Sequence, residues 1–188
     1  MAAEPRYLTA EEYLSLERHA PSKSEYLDGT IVAMAGASEE HNLIFGNMFA
    51  SLHPQLGRRG CRVYPSDMRV KIAALNAYTY PDLSIACGES QFDEGKRDSL
   101  LNPTVIVEIL SPSTAMYDRT TKFARYRHLS SLREYILVAQ DIVFIEHFVR
   151  QPDDRWLWAA LEQPTDILTL ASVGCVLALA EIYANVPL

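Results

Sequence analysis

Thr104-Val105-Ile106-Val107-Glu108-Ile109-Leu110 and, upstream of it, Tyr80-Pro81-Asp82-Leu83-Ser84-Ile85 are the stretches on which the fold turns. Each is a short apolar run bounded by turn-forming residues, the pattern of a buried strand. Each is also interrupted by one acid. An unpaired carboxylate in such a strand costs roughly 2–7 kcal/mol on polar-group transfer scales, and more if ionised. Both acids therefore need a partner, and a bound metal ion is the sharpest candidate. Pro81 opens its run, one of the few strand positions that tolerate proline. If the two strands pair antiparallel, Asp82 at the start of one lies beside Glu108 near the end of the other, within roughly 4.5–8 Å at Cβ. Facing carboxylates repel unless a cation or a shared proton sits between them. Oxygen ligands suit Mg2+ or Mn2+ better than zinc. The competing reading, a buried acid paired with arginine or capping a helix end, serves either residue alone but weakens for the two together.

Working outward, a helix is expected from about Asp118 to Ser130, where Lys122 shares a face with Tyr126 and Leu129 at i, i+4, i+7. A lysine on a core-facing stripe usually snorkels to the surface; its other reading is a cation beside the two carboxylates. Strands are expected at Glu134 to Ala139, Ile142 to Val149, Arg155 to Leu161 and Ile167 to Leu170, with a short helix over Leu177 to Ala184. On the N-terminal side, Thr9 and Glu12 form a capping box for a first helix. Asp28-Gly29 marks a hairpin between Glu25-Tyr26-Leu27 and Thr30 to Met34. Ser38 caps a second, broadly apolar helix, and strands follow at Cys61 to Tyr64 and Asp67 to Ile72. The loop over Gly88 to Pro103 is longer than a hairpin needs, as functional loops often are. Helix, strands, helix, strands reads as an α/β fold, a mixed β-sheet flanked by helices.

The bulk numbers set the frame. A chain of 188 residues supports one well-buried core, so residues 1–188 are expected to form a single domain. No apolar stretch approaches the roughly 18 residues of a membrane span, and Met1-Ala2-Ala3-Glu4-Pro5-Arg6 lacks the basic start of a secretory signal. Cys61, Cys87 and Cys175 are odd in number and lack CxxC spacing, which argues against a disulfide framework and for a reducing, cytoplasmic setting. The net charge of −7 makes a poor general nucleic-acid binder. Even so, Arg58, Arg59, Arg62, Arg69 and Lys71 cluster in one stretch and Arg119, Lys122, Arg125, Arg127 and Arg133 in another. Two local basic surfaces, or merely solvated charge, follow from that pattern. Trp156 and Trp158 alternate along one strand and read as core or interface.

Tyr80-Pro81-Asp82, then Val105-Ile106-Val107-Glu108-Ile109-Leu110-Ser111-Pro112-Ser113-Thr114, Asp118, Lys122, Tyr126 and Glu134-Tyr135-Ile136-Leu137-Val138 together resemble the Uma-type restriction-endonuclease family of the PD-(D/E)XK nuclease superfamily. Glu25-Tyr26-Leu27-Asp28-Gly29, Ser38 to His41 and Ala180-Glu181-Ile182-Tyr183 extend the likeness over nearly the whole chain. The resemblance implies a restriction-endonuclease-like core and an Mg2+- or Mn2+-dependent phosphodiesterase acting on DNA. Asp82 and Glu108 would be metal ligands, with the backbone carbonyl of Ile109 as a further one. Glu25 would be an auxiliary acid on the early hairpin. The superfamily's lysine two residues after the second acid is here Leu110, and Lys122 is its substitute from the following helix. His41 also matches a family position, while Ala139 stands where the family often has an acid and Asp141 follows it. Enzymes of this type often act as two-fold homodimers, because a duplex offers two scissile strands. Two other readings remain: a nuclease fold that binds or assembles without turnover, and a metal-dependent hydrolase of small phosphate esters.

Overall fold

A computed structural model describes residues 7–34, 36–93, 96–112 and 114–188. Met1 to Arg6, read above for a targeting signal, and Ser113 of the Ser-Pro-Ser-Thr motif lie outside the described residues. In chain order the elements are α1 (Ala10–Glu17), β1 (Ser24–Leu27), β2 (Thr30–Ala33), α2 (Glu39–Gly57), β3 (Cys61–Pro65), β4 (Arg69–Ile72), β5 (Ala77–Thr79), β6 (Leu83–Cys87), β7 (Ser99–Leu100) and β8 (Val105–Leu110). Then come α3 (Ala115–Tyr117), a π-helical turn (Asp118–Lys122), α4 (Phe123–Tyr126), β9 (Glu134–Ala139), β10 (Ile145–Arg150), β11 (Trp156–Leu161), β12 (Ile167–Leu170), β13 (Cys175–Ala178) and α5 (Leu179–Ile182). None of the helices is long and apolar enough, among the described residues, to cross a membrane.

The main sheet has six strands in the order β11-β10-β9-β8-β6-β3. β8 and β9 are parallel, joined by the helix over 115–126, and the other pairs are antiparallel. Parallel neighbours require such a crossover. One face of the sheet packs on α2 through Ile44, Met48, Leu52 and Leu56, with β12, β13 and α5 closing the layer. The opposite face, which includes Ile106, Leu110, Tyr135 and Leu137, meets Tyr126, Leu129 and a second sheet. That second sheet, ordered β2-β1-β5-β4-β7, was not expected from the sequence. Its strands β5 and β7 hold three and two residues, too few to show a period. Three clustered tyrosines, Tyr13 stacked on Tyr26 with Tyr78 tilted against both, fix α1 to its outer face.

The local signals act as read. Thr9 and Glu12 close the capping box reciprocally, and Ser38 accepts from the His41 N–H at the start of α2. Asp28 and Gly29 take φ of 40° and 95°, the left-handed pair that a two-residue hairpin turn requires. Trp156 meets Phe123 edge-on with centroids 5.1 Å apart, whereas Trp158 is exposed on the edge strand β11. The expected C-terminal helix is shorter, because Cys175–Ala178 forms β13 against β12 and leaves only α5 helical.

One expectation is corrected and another narrowed. Cys61 and Cys87 are directly opposite in the β3–β6 register and are joined in a disulfide, while Cys175 is a buried free thiol. Their separation of 26 residues conceals a cross-strand pair from spacing rules. The argument for a reducing compartment falls with that pairing. Part of each basic cluster is also taken up internally, while Arg58, Arg59, Arg62, Arg127 and Arg133 stay exposed. Arg69 is buried against Asp98 at 2.6 Å, Lys71 pairs with Asp93, Arg119 with Glu146, and Lys122 lies among carboxylates.

Candidate functional site

Leu83 pairs with Val107 in the antiparallel register of β6 and β8, so the next position brings Asp82 opposite Glu108. Both side chains leave the sheet on the face that carries Ile106 and Leu110, since alternate residues share a face. The remaining groups arrive from three other elements. β1 of the second sheet contributes Glu25, the π-helical turn contributes Asp118 and Lys122, and the first turn of α2 contributes His41. Every site residue expected from the sequence is thus brought to one place.

Lys122 is the hub. Its ammonium lies 2.9 Å from Glu108 Oε1, 3.4 Å from Glu25 Oε1 and 3.8 Å from Asp118 Oδ1. Only 6% of the residue is exposed, so it does not snorkel. A π-turn widens the helix by one residue per turn and is common at functional sites; here it holds both Asp118 and Lys122 inward. Asp82 is fixed separately. Its Oδ2 accepts the Ile109 N–H at 2.7 Å and its Oδ1 lies 3.2 Å from His41 Nε2. The Tyr126 hydroxyl donates to Glu108 Oε1 at 2.9 Å, and Glu25 Oε1 accepts the Tyr80 N–H at 3.2 Å.

Sequence reasoning gave no role to Asp118 or Tyr126. The signal for Asp118 was available: it precedes Lys122 by four residues, a spacing that places two helical side chains together. Tyr126 was read only as core, because its hydroxyl is invisible to an apolar stripe.

The electrostatics are lopsided. Four carboxylates, Glu25, Asp82, Glu108 and Asp118, meet one lysine and one histidine. Burial drives the Glu108 carboxyl well above its ordinary range; Lys122 draws it back while Asp82 and Asp118 push it further up. Asp118 is raised for the same leading reason, burial. Burial would lower the Lys122 ammonium, but Glu108, Glu25 and Asp118 outweigh it and hold the lysine firmly protonated. Among the described residues, the buried side-chain polar atoms without a hydrogen-bond partner are His41 Nδ1 and Ser84 Oγ. His41 touches Asp82, and Ser84 follows it by two residues on the same strand face.

A mixed sheet with two acids at the ends of adjacent antiparallel strands, beside a parallel β8–helix–β9 unit, defines the restriction-endonuclease-like class of α/β folds. A solved structure titled a putative nuclease belonging to DUF820, from Anabaena variabilis, superposes with a TM-score of 0.75. The match covers 94% of this chain and 97% of that one at 18% identity, which speaks for the fold. The chain belongs to the Uma2 family, whose model is described as "Putative restriction endonuclease" and matches residues 10–180. Two relatives from Synechocystis, named as the uncharacterized proteins sll1609 and slr1290, are 37% and 36% identical over 161 and 176 residues. Those matches cover 86% and 94% of this chain and 91% of each relative.

Proposed function

We propose that the protein is a metal-dependent endonuclease that hydrolyses phosphodiester bonds in DNA, with Asp82, Glu108, Lys122 and Glu25 as its working side chains. The observation that carries this reading is the surplus of acid. Three carboxylates surround one ammonium, and a fourth, Asp82, stands opposite Glu108 beside an imidazole. Their oxygens suit a hard divalent cation, which would have to draw them together, since no three of the described acids and histidines already form a metal-holding group. Asp82 and Glu108, together with the Ile109 carbonyl, are the residues that would hold it. That carbonyl lies on the same edge of β8 as the Ile109 N–H, because both main-chain groups of an extended residue face the same neighbouring strand. The unpartnered His41 Nδ1 and Ser84 Oγ beside Asp82 fit a site arranged for more than its own side chains. When bound, Mg2+ or Mn2+ supplies Lewis-acid polarisation of the phosphate.

The chain's own residues supply the rest. Lys122, kept protonated by its neighbours, donates to the attacking water or to the charge growing on the phosphate oxygens. Glu25 and Asp118 position that ammonium. His41 and the Ile109 N–H fix the Asp82 carboxylate, and the Tyr126 hydroxyl fixes Glu108. Pre-set donors of this kind need no reorganisation as the reaction proceeds. The reading includes a homodimer, which light scattering of the purified chain tests.

The test is nicking of supercoiled plasmid in Mg2+, Mn2+ or EDTA by the parent, Glu108→Ala and Lys122→Ala. Cleavage that needs the metal and disappears in both variants is the expected result. Plasmid and a single-stranded oligonucleotide both left intact, with Mn2+ still binding through Glu108 by calorimetry, would move the reading to small phosphate esters. The consumed Arg69, Lys71 and Arg119 favour that second reading, since they leave fewer cations for a duplex. Neither cleavage nor metal binding would leave a nuclease fold that acts by binding alone.

A further inference from the structure

A cleft of about 280 Å³ opens one step beyond the carboxylates, at the carboxyl ends of the parallel strands β8 and β9. It is lined by Leu110, two residues after Glu108, by Ala139, its partner in the register, and by Ile142, Phe144, Arg119 and Asp141. Three features mark it as a seat for one flat, partly polar group. Its volume lies near the lower end of small-molecule sites, which start at roughly 300 Å³. Its walls offer an aromatic ring together with Ile142, a large apolar side chain that is 56% exposed. Its polar lining residues are Ser111, Arg119 and Asp141, and Arg119 is oriented by Glu146 at 2.5 Å. Arg119 directly follows Asp118 and Leu110 follows Glu108 by two residues, so the cleft is lined from the same two segments that carry part of the acid cluster.

We propose that this cleft takes the base and sugar of the nucleotide next to the scissile phosphate, so that the substrate is single-stranded or locally unpaired nucleic acid rather than intact duplex. The inference rests on the nuclease reading and adds the substrate class. A base must leave its stack to enter a cleft of this size, and an already unpaired base does so at the least cost. Stacking on an aromatic or apolar wall is indifferent to base identity and strong enough to hold a strand. The net charge of −7 and the ion-paired Arg69, Lys71 and Arg119 agree, since each lessens the attraction of duplex phosphates.

The experiment has two arms. In the first, the 15N-labelled full chain in EDTA is titrated with deoxyadenosine 5′-monophosphate, and with inorganic phosphate as control. Amide shifts are expected at Ala139, Ile142 and Phe144 with the nucleotide and not with phosphate. Ala139→Leu, which fills the cleft, should weaken nucleotide binding about tenfold, equivalent to roughly 1.4 kcal/mol. Ile142→Asp, a change at an exposed wall that spares the core, should weaken it as well. In the second arm, matched single-stranded and duplex oligonucleotides are cleaved with metal present. The single strand should be preferred, and both variants should raise KM while kcat stays near the parent value. Nucleotide shifts elsewhere, or variants that bind like the parent, would overturn the cleft assignment; a preference for intact duplex would overturn the substrate class. Nucleotide bound in the cleft of a protein that cleaves nothing would instead sink the nuclease reading and leave the cleft standing.

Discussion

Two charge clusters lie on either side of Tyr80, and they are built to opposite rules. On one side Arg18 and Arg69 both grip Asp98, at 2.8 and 2.6 Å, while Arg69 also donates to the Tyr80 hydroxyl, which donates to Glu17. Two cations meet two acids, and Glu17 takes further bonds from the Ser24 N–H and hydroxyl. On the other side the Tyr80 N–H donates to Glu25, one of four acids with a single lysine among them. The balanced cluster is satisfied by its own members and pins the 96–100 segment to α1 and β4. The unbalanced one is not, and keeping like charges together without a partner is a burden on stability. Such arrangements are retained where they do chemistry.

The largest expected effect comes from removing each hub. Lys122→Ala strands three buried acids and should cost about 3–5 kcal/mol in urea unfolding. Arg69→Ala leaves Asp98 with Arg18 and partial solvent contact, so a loss of about 1–3 kcal/mol is expected. Equal losses would break the comparison. Next, Mn2+ at a hundred times its dissociation constant should stabilise the parent by about 2.7 kcal/mol. That gain should vanish in Asp82→Asn and survive in Arg69→Ala; a gain that survives in both would place the cation elsewhere.

Glu108→Gln sharpens the contrast. It removes surplus charge, so without metal the variant should be within about 1 kcal/mol of the parent or more stable, and yet fail to nick plasmid. Asp98→Asn should instead lose roughly 1 kcal/mol, allowing for solvent screening at a side chain 34% exposed. The smallest effect is in acid. Burial would raise the Asp98 carboxyl, but hydrogen bonds and ion pairs from Arg18 and Arg69 prevail and lower it from 3.8 to about 2. Its contribution is therefore complete above pH 3.8 and is lost as the pH falls through about 2. A carboxyl-carbon NMR titration of Asp98 checks the midpoint.

How much of this was legible in the chain depends on range. The juxtaposition of Asp82 and Glu108 followed from two acids in apolar runs and one assumption about strand direction, and the register bears that assumption out. The capping box, the Asp28-Gly29 hairpin and the Ser38 cap are local, and local chemistry decides them. Glu25 came from the resemblance, which also decided for Lys122 between the two readings its helix face left open, since nothing in their own neighbourhoods says that a β1 strand and a helix near residue 120 will meet. The disulfide and the second sheet were hidden for the same reason, as both depend on contacts between distant, short segments. Asp118 was a missed reading rather than an unreadable one.

The π-helical turn has a consequence in genetic terms. One extra residue in a helix is what a single-codon insertion leaves behind, and here it lies between the acid that positions the lysine and the tyrosine that holds Glu108. A one-codon deletion at Thr120 or Thr121 would return the segment to regular α-helix. Tyr126 would stay anchored in the core while Lys122 turned out of the site, separating the machinery from the scaffold at a stroke. The distance between a working nuclease fold and an inert one would then be three nucleotides.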